Sequence, residues 1–256
     1  MTWQGRHVLV TGGTRGIGRE LVLLLVARGA RVTATGTTPQ GVAEAAAACP
    51  GVRWLALDQR RPDDRERLAR TLLVDDLSDV IHNAGVQQLR DFTGPGDDEA
   101  LSVQDEVDIN LVGVVDLTRR LLPALRRTAA AAGSAAGLSI RPSLVFVTSG
   151  LALAPKRSSP VYCATKAGLR SFAKALRAQL RTAEGGIRVV EALPPIVDTD
   201  MTRGRGARKL PAAEAARQIL AGLDTGRDEV FVGASALLKW VLRLSPALGE
   251  RIMIDR

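Results

Sequence analysis

Tyr162 and Lys166 stand four residues apart, and Ser149 precedes them at the end of an apolar run. On a helix, positions i and i+4 share a face, so a phenol and an ammonium at that spacing meet the same ligand. A free tyrosine has a pKa of about 10 and is a poor general acid–base at neutral pH. A lysine cation beside it, together with a positively charged cofactor, favours the phenolate and brings the pKa towards the working range. Such a tyrosine donates a proton to a carbonyl oxygen, or removes one from an alcohol. A serine hydroxyl holds that oxygen in a small oxyanion site. Tyr162 is the only tyrosine in the chain, so the assignment is not a choice among several. The spacing by itself is also that of an ordinary surface helix pair, and it gains weight only with a cofactor site.

A second constellation near the N-terminus offers that site. Thr11-Gly12-Gly13-Thr14-Arg15-Gly16-Ile17-Gly18 follows an apolar run and opens an amphipathic stretch. Glycines let the backbone approach a phosphate closely, and a helix N-terminus supplies free N–H groups and a positive dipole end. Between strand and helix, such a turn points to a dinucleotide. An acid at the end of the second strand would accept ribose hydroxyls and repel a 2′-phosphate. Here that region reads Ala34-Thr35-Gly36-Thr37-Thr38 and has no acid. The Arg15 guanidinium with the Thr37 and Thr38 hydroxyls suits a phosphate monoester, so NADP(H) is expected, with NAD(H) open as the alternative.

The elements that must position these groups are read from hydrophobic periodicity. Strands are expected at His7–Val10, Arg31–Thr35, Val52–Leu57, Asp79–Ile81, Leu144–Val147, Arg188–Ala192 and Glu229–Val232. Helices are expected at Gly18–Arg28, Gln40–Ala48, Asp63–Leu73, Glu99–Arg127, Val161–Ala183 and Ala212–Leu223. This alternation predicts an α/β fold: a doubly wound, Rossmann-type parallel sheet of about seven strands flanked by helices. The Ala-rich stretch from Thr128 to Gly137 reads as a loop after Gly133. Pro194–Pro211 is long for a connection and is expected to form a lid over the ligand. Ala234–Leu248 is apolar but carries Lys239 and Arg243, and is expected to pack on the domain or on another subunit.

Composition narrows the classes. Two cysteines cannot build a disulfide framework, and with two histidines they are too few for a zinc site. No apolar run approaches the roughly 20 residues of a membrane-spanning helix, and the N-terminus does not read as a signal peptide, so a cytoplasmic protein without integral membrane association is expected. The net charge of +8 raises nucleic acid as a partner. Basic residues are spread along the whole chain, however, and aromatics at 3% are too few for base-stacking platforms. No nucleic-acid partner is expected.

The Gly-x-x-x-Gly-x-Gly spacing of Gly12, Gly16 and Gly18, with Tyr162-x-x-x-Lys166 behind Ser149, resembles the short-chain dehydrogenase/reductase superfamily. The N-terminal stretch is also similar to the 3-oxoacyl-carrier-protein reductases, which use NADPH. The resemblance implies further roles. Asp58 would lie near the adenine amino group. His82-Asn83-Ala84-Gly85 resembles the superfamily's Asn-Asn-Ala-Gly turn, with His82 in place of the first asparagine. Asn110 would be the fourth catalytic member, kinking its helix and holding a water that links Lys166 to solvent. Lys166 would also grip the nicotinamide ribose. Pro194-Pro195-Ile196-Val197-Asp198-Thr199 resembles the segment that contacts the carboxamide, with Pro195 where glycine is usual. Asn83–Gln87, Ser149–Ala152, Pro160–Ala167 and the Pro-Pro-x-Val-Asp-Thr segment look like the DltE-type branch.

Taken with the resemblance, the expected cofactor set is Gly12, Thr14, Arg15, Gly16, Ile17, Gly18, Thr37, Thr38, Asp58, Asn83, Ala84, Gly85, Tyr162, Lys166, Pro194, Val197 and Thr199. The expected catalytic set is Asn110, Ser149, Tyr162 and Lys166. One domain over residues 1–256, a lid at 194–211 and a homo-oligomer are implied, acting on a small-molecule carbonyl or alcohol. The substrate walls are expected at Val86–Asp98, Gly150–Ser159 and Thr199–Pro211. A non-catalytic NADP(H)-binding sensor or scaffold on the same fold is the rival reading.

Overall fold

The computed structural model describes residues 2–94, 101–134, 141–182, 186–206 and 208–254. The order of elements is β1 (His7–Val10), α1 (Gly16–Ala27), β2 (Arg31–Gly36), α2 (Pro39–Ala48), β3 (Arg53–Ala56), α3 (Pro62–Leu73), β4 (Leu77–His82), α4 (Val103–Val107), α5 (Gly113–Ser134) and β5 (Ser143–Val147). There follow α6 (Pro160–Thr182), β6 (Arg188–Leu193), β7 (Val197–Asp198), β8 (Leu210–Pro211), α7 (Ala212–Asp224), β9 (Glu229–Phe231), α8 (Ser235–Leu244) and α9 (Pro246–Ile254). Seven strands form one sheet in the order β3-β2-β1-β4-β5-β6-β9, and every pairing is parallel. β7 and β8 make a separate two-stranded pair.

The continuous apolar runs of the strands are explained by burial on both faces. Val8 and Val10 of β1 pack with Leu21, Val22 and Leu25 of α1 and Ile219 of α7. Leu9, between them, faces the other layer with Leu72 of α3, Leu117 and Leu121 of α5 and Leu169 of α6. One charged clamp joins the entry of β1 to β4: Arg6 donates to both Asp79 carboxylate oxygens at 2.7 Å, and Asp79 is fully buried. The strand order reverses between β1 and β4. In open parallel sheets that switch point opens a crevice outside the carboxyl ends of the strands.

The doubly wound parallel sheet is as expected, and three local readings are corrected. The helix expected over Glu99–Arg127 is broken, its start at Glu99 lying outside the described residues. α4 runs into a π turn at Asp108–Val112, and α5 begins at Gly113. The wide turn turns the Ile109 carbonyl to accept from Gln59 Nε2 at 3.0 Å. Gly113 is needed there, since a Cβ would stand 2.5 Å from the Gln59 carbonyl oxygen. α5 then continues through Gly133 to Ser134, where a loop was expected; residues 135–140 lie outside the described set. Alanine's high helix propensity carries the helix past the glycine.

The third correction concerns the C-terminal apolar segment. Ala234–Leu248 is not one segment, but α8 and α9 broken at Ser245, before Pro246.

Candidate active site

A single cleft of about 1420 Å³ lies over the carboxyl ends of the strands and brings most of the expected residues together. Its floor is the glycine-rich turn between β1 and α1. Gly12 and Gly16 have φ of +66° and +55°, where side chains are strained, and a Cβ on Gly12 would stand 2.9 Å from Ala84 Cα. Gly18 does not line the cleft. It lets α1 start against the turn, since a Cβ there would lie 2.0 Å from the Gly12 carbonyl oxygen. Asn83 clamps the same turn, donating from Nδ2 to the carbonyls of Thr11 and Gly12 at 3.1 Å each. Asn83 and Ala84 donate in turn from their backbone N–H to Thr11 Oγ1, each at 3.1 Å.

This cradle fits a dinucleotide pyrophosphate. α1 begins at Gly16 with no side-chain cap and no acid in its first turn, so its N–H groups and dipole face an anion. Thr14, Arg15, Gly16 and Ile17 line the cleft above it, with Thr37 and Thr38 from the end of β2. Arg15 is exposed and its guanidinium has no partner among the described residues. Thr38 is partly committed, because its hydroxyl caps α2 by accepting from Gly41 N at 3.2 Å. From the far wall, Pro194, Val197 and Thr199 close on the turn. Thr199 Cγ2 lies 3.0 Å from where a Cβ on Gly16 would be.

Asp58 lines the cleft just beyond β3. β3 ends at Ala56, and the Asp58 carboxylate accepts from Arg60, whose Nη2 stands 2.6 Å from Oδ2. Hydrogen bonds from Arg60 hold the Asp58 pKa below its ordinary value. Arg60 also reaches Asp105 Oδ1 at 3.2 Å, so this wall of the cleft is an ion-pair cluster and not a lone acid.

At the chemical end, β5 delivers Ser149 and α6 delivers Tyr162 and Lys166, all nearly buried. Burial pushes the Tyr162 phenol up to about 12, against the opposing effects of the Ser149 hydroxyl and the Arg205 guanidinium. Burial alone lowers Lys166 to about 8. Lys166 Nζ lies 5.7 Å from the Tyr162 ring centroid and donates to the Val147 carbonyl at 3.0 Å.

Asn110 sits in the π turn behind the cleft and acts on its backbone. Its Oδ1 accepts from Val86 N at 2.9 Å, and Nδ2 donates to Val86 O at 2.8 Å and Thr165 Oγ1 at 3.2 Å. Gly85 separates it from the lysine: a Cβ there would stand 3.1 Å from Asn110 Oδ1 and 3.3 Å from Lys166 Nζ. The kink expected at Asn110 is thus present as the π turn.

Other residues of the site were not foreseen. Glu106 and Arg90 form a wholly buried pair that accepts from Gln88 N at 3.1 Å and donates to Leu101 O at 2.7 Å, fixing the loop after β4. Arg205 donates to Gln87 Oε1 at 2.9 Å. Leu238 of α8 and Met253 of α9 add apolar walls beyond the three expected segments, of which residues 95–98 and 207 lie outside the described set.

Comparison with known proteins agrees with the geometry. The short chain dehydrogenase family matches residues 6–210. The oxidoreductase DltE of Bacillus subtilis (strain 168), itself called uncharacterized, is 35% identical over 90% of this chain and 89% of its own. The 3-oxoacyl-acyl-carrier-protein reductase FabG of Salmonella typhimurium is 30% identical over 79% of this chain and 78% of its own. A short chain dehydrogenase from Burkholderia cenocepacia, solved in complex with NADP, superposes with a TM-score of 0.85 at 25% identity, each chain covered over 100%. The chain belongs to the short chain dehydrogenase family, is of the DltE type within it, and is an oxidoreductase of the alcohol–carbonyl class using NAD(P).

Proposed function

We propose that this protein is an NADP(H)-dependent carbonyl reductase or alcohol dehydrogenase acting on a small molecule, with Ser149, Tyr162, Lys166 and Asn110 as its working set. The observation that carries the reading is that Ser149, Tyr162 and Lys166 line the same cleft as the glycine-rich turn, with Asn110 directly behind them. Bound NADPH supplies a hydride to the carbonyl carbon. Tyr162 donates its phenolic proton to the carbonyl oxygen, and a pKa of about 12 keeps that proton in place at neutral pH. Ser149 holds the same oxygen by a hydrogen bond. Lys166, at about 8, is mainly an ammonium at pH 7 and stabilises the phenolate left behind. In the reverse direction the phenolate takes the alcohol proton.

Gly12, Thr14, Gly16 and Ile17 would cradle the pyrophosphate, supported by Gly18 and Asn83. Arg15, Thr37 and Thr38 would receive the 2′-phosphate, a role favoured by the absence of an acid at the end of β2 and by the Arg15 guanidinium, which has no partner among the described residues. Asp58 with Arg60 would flank the adenine, and Ala84, Gly85, Lys166, Pro194, Val197 and Thr199 the nicotinamide half. Residues 194–211 would act as the lid, within one domain spanning 1–256. A homo-oligomer in the cytoplasm belongs to the same reading.

Paired fluorescence titrations with NADPH and NADH at one ionic strength test it. Tighter binding of NADPH, followed by turnover of at least one member of a carbonyl panel, is the expected result. Binding of neither cofactor would overturn the oxidoreductase mechanism for these residues, and equal binding of both would overturn the phosphate site.

A further inference from the structure

The C-terminal helices have two faces of different character. Inward, Leu238 of α8 and Met253 of α9 line the cleft, and Ser235 is buried. The helices are pressed together at Gly249, where a Cβ would lie 2.4 Å from Leu242 Cδ2. The last turn of α9 is fastened to the domain by Arg157 N, which donates to the Ile254 carbonyl at 3.0 Å. This is a docked helix pair, and its outward side chains are exposed although both helices are anchored.

Those outward side chains are apolar. On α8, Leu237, Trp240 and Leu244 follow an i, i+3, i+7 stripe and are 68%, 57% and 84% exposed. On α9, Leu248 and Ile252 repeat at i, i+4 and are 51% and 46% exposed. Five of the twelve large exposed hydrophobic side chains among the described residues therefore fall within these two helices. A concentration of that kind marks an interaction surface and not scattered exposure.

The charges beside the stripe select the partner. α8 contains no acid, and Arg243 borders its apolar stripe with the guanidinium 6.0 Å from the Trp240 ring centroid, while the Lys239 ammonium turns onto the Phe231 ring of β9 at 4.4 Å. On α9 Arg251 stands next to Glu250, and exposed Arg157 lies where α9 is fastened. A second copy meeting this face across a two-fold axis would bring Arg243 and Arg251 of both copies into one interface. An anionic surface is matched by them, and the +8 charge of the whole chain attracts it further. An apolar stripe with a tryptophan and bordering cations is the pattern of a helix lying in the plane of a lipid interface. Among the described residues no helix is long and apolar enough to cross a membrane.

We propose that the outer face of α8 and α9 docks this protein on an anionic phospholipid bilayer, with Leu237, Trp240, Leu244, Leu248 and Ile252 entering the interface and Arg243 and Arg251 meeting the headgroups. The test is co-sedimentation of the full chain with vesicles of phosphatidylcholine alone and of phosphatidylcholine with phosphatidylglycerol, at low and high salt. Retention on the anionic vesicles at low salt is expected, with a large loss at high salt and little retention on neutral ones. Trp240 emission should shift to the blue on binding, since Trp3 is buried, Trp54 packs on the core and donates to the Cys49 carbonyl at 3.1 Å, and neither environment changes. The double variant Leu237→Ser, Leu244→Ser should lose at least about tenfold in vesicle affinity at unchanged thermal stability, both side chains being exposed. No retention on anionic vesicles overturns the proposal, and so does equal retention on neutral ones. A concentration-dependent dimer that the double variant abolishes, without vesicle binding, overturns it in favour of a second copy. The assay reads no turnover, so its outcome is independent of the catalytic reading.

Discussion

Arg205 donates from Nη1 to Gln87 Oε1 at 2.9 Å, joining the segment between β7 and β8 to the loop after β4. Gln87 passes the tie on, donating from Nε2 to Ser159 Oγ at 3.0 Å, and Ser159 immediately precedes α6 and lies three residues before Tyr162. Gly204 and Gly206, with φ of +75° and +66°, bracket the arginine and allow the sharp path that brings it there. Arg205 thus ties two segments at the cleft and is a cation whose field lowers the Tyr162 pKa. Arg205→Ala should raise the carbonyl KM about tenfold, equivalent to ~1.4 kcal/mol, with a smaller change in kcat. Because the removed cation favours the phenolate, the pH profile of alcohol oxidation should move to higher pH. Steady-state kinetics across pH check both; an unmoved profile would reduce Arg205 to a structural contact.

Tyr162 is 8% exposed, and phenylalanine keeps its ring in place while deleting the only atom that can carry the proton. Tyr162→Phe should therefore reduce kcat by about 10²–10⁴ with any accepted carbonyl. Cofactor binding and melting temperature should stay near those of the parent protein. Turnover within about twofold of the parent would show that the proton comes from elsewhere.

The sheet and the two ends of the cleft were legible because they rest on local signals. Val8–Val10 is apolar on both faces, Gly12 and Gly16 stand at positive φ, and Tyr162 and Lys166 share one helix. What sequence did not show depends on contacts between distant elements. Glu106 and Arg90 are ordinary charged residues until α4 and the loop after β4 close on each other. The π turn at Asp108–Val112 exists because the Ile109 carbonyl meets Gln59, about 50 residues earlier in the chain. Asp58 could be placed near the end of β3, but its engagement by Arg60 and the link to Asp105 needed the folded chain. The two faces of Ala234–Leu248 separated only once Pro246 was seen to start a second helix.

Arg15 tests the phosphate assignment directly. It is exposed, without a partner among the described residues, and just outside α1, so its replacement leaves the fold intact. Arg15→Ala should weaken NADPH about tenfold or more and leave NADH nearly unchanged, because the lost donors address only the 2′-phosphate. Thr38→Ala is a poorer probe, since it also removes the cap of α2 at a cost of about 1 kcal/mol. A parallel loss of both cofactors in Arg15→Ala would place the arginine at the pyrophosphate instead.

His82, which stands where the family turn has asparagine, gives the fold a pH dependence of its own. Its ring is fully enclosed, stacks on Phe146 at 5.2 Å between centroids, and lies 3.0 Å from Thr118 Oγ1 through Nε2. Burial lowers its pKa to about 3, from 6.5 in the unfolded chain. The unfolded state thus binds a proton between these values that the folded state does not. Stability from this group is complete above pH 6.5 and falls as the pH drops towards 3. The loss by pH 4 should be on the order of 3 kcal/mol. His7, lowered to about 4 mainly by burial, adds a loss of the same sign and of nearly the same size by pH 4. His82→Asn, measured by melting temperature from pH 7 down to about pH 4, should remove about half of the histidine-linked decline, leaving the part due to His7 and the carboxylates. It should also lower the plateau near neutral pH, because the ring stacked on Phe146 is gone. An undiminished slope in the variant would mean that His82 is protonated in the folded state at much higher pH, with Thr118 accepting from the charged ring.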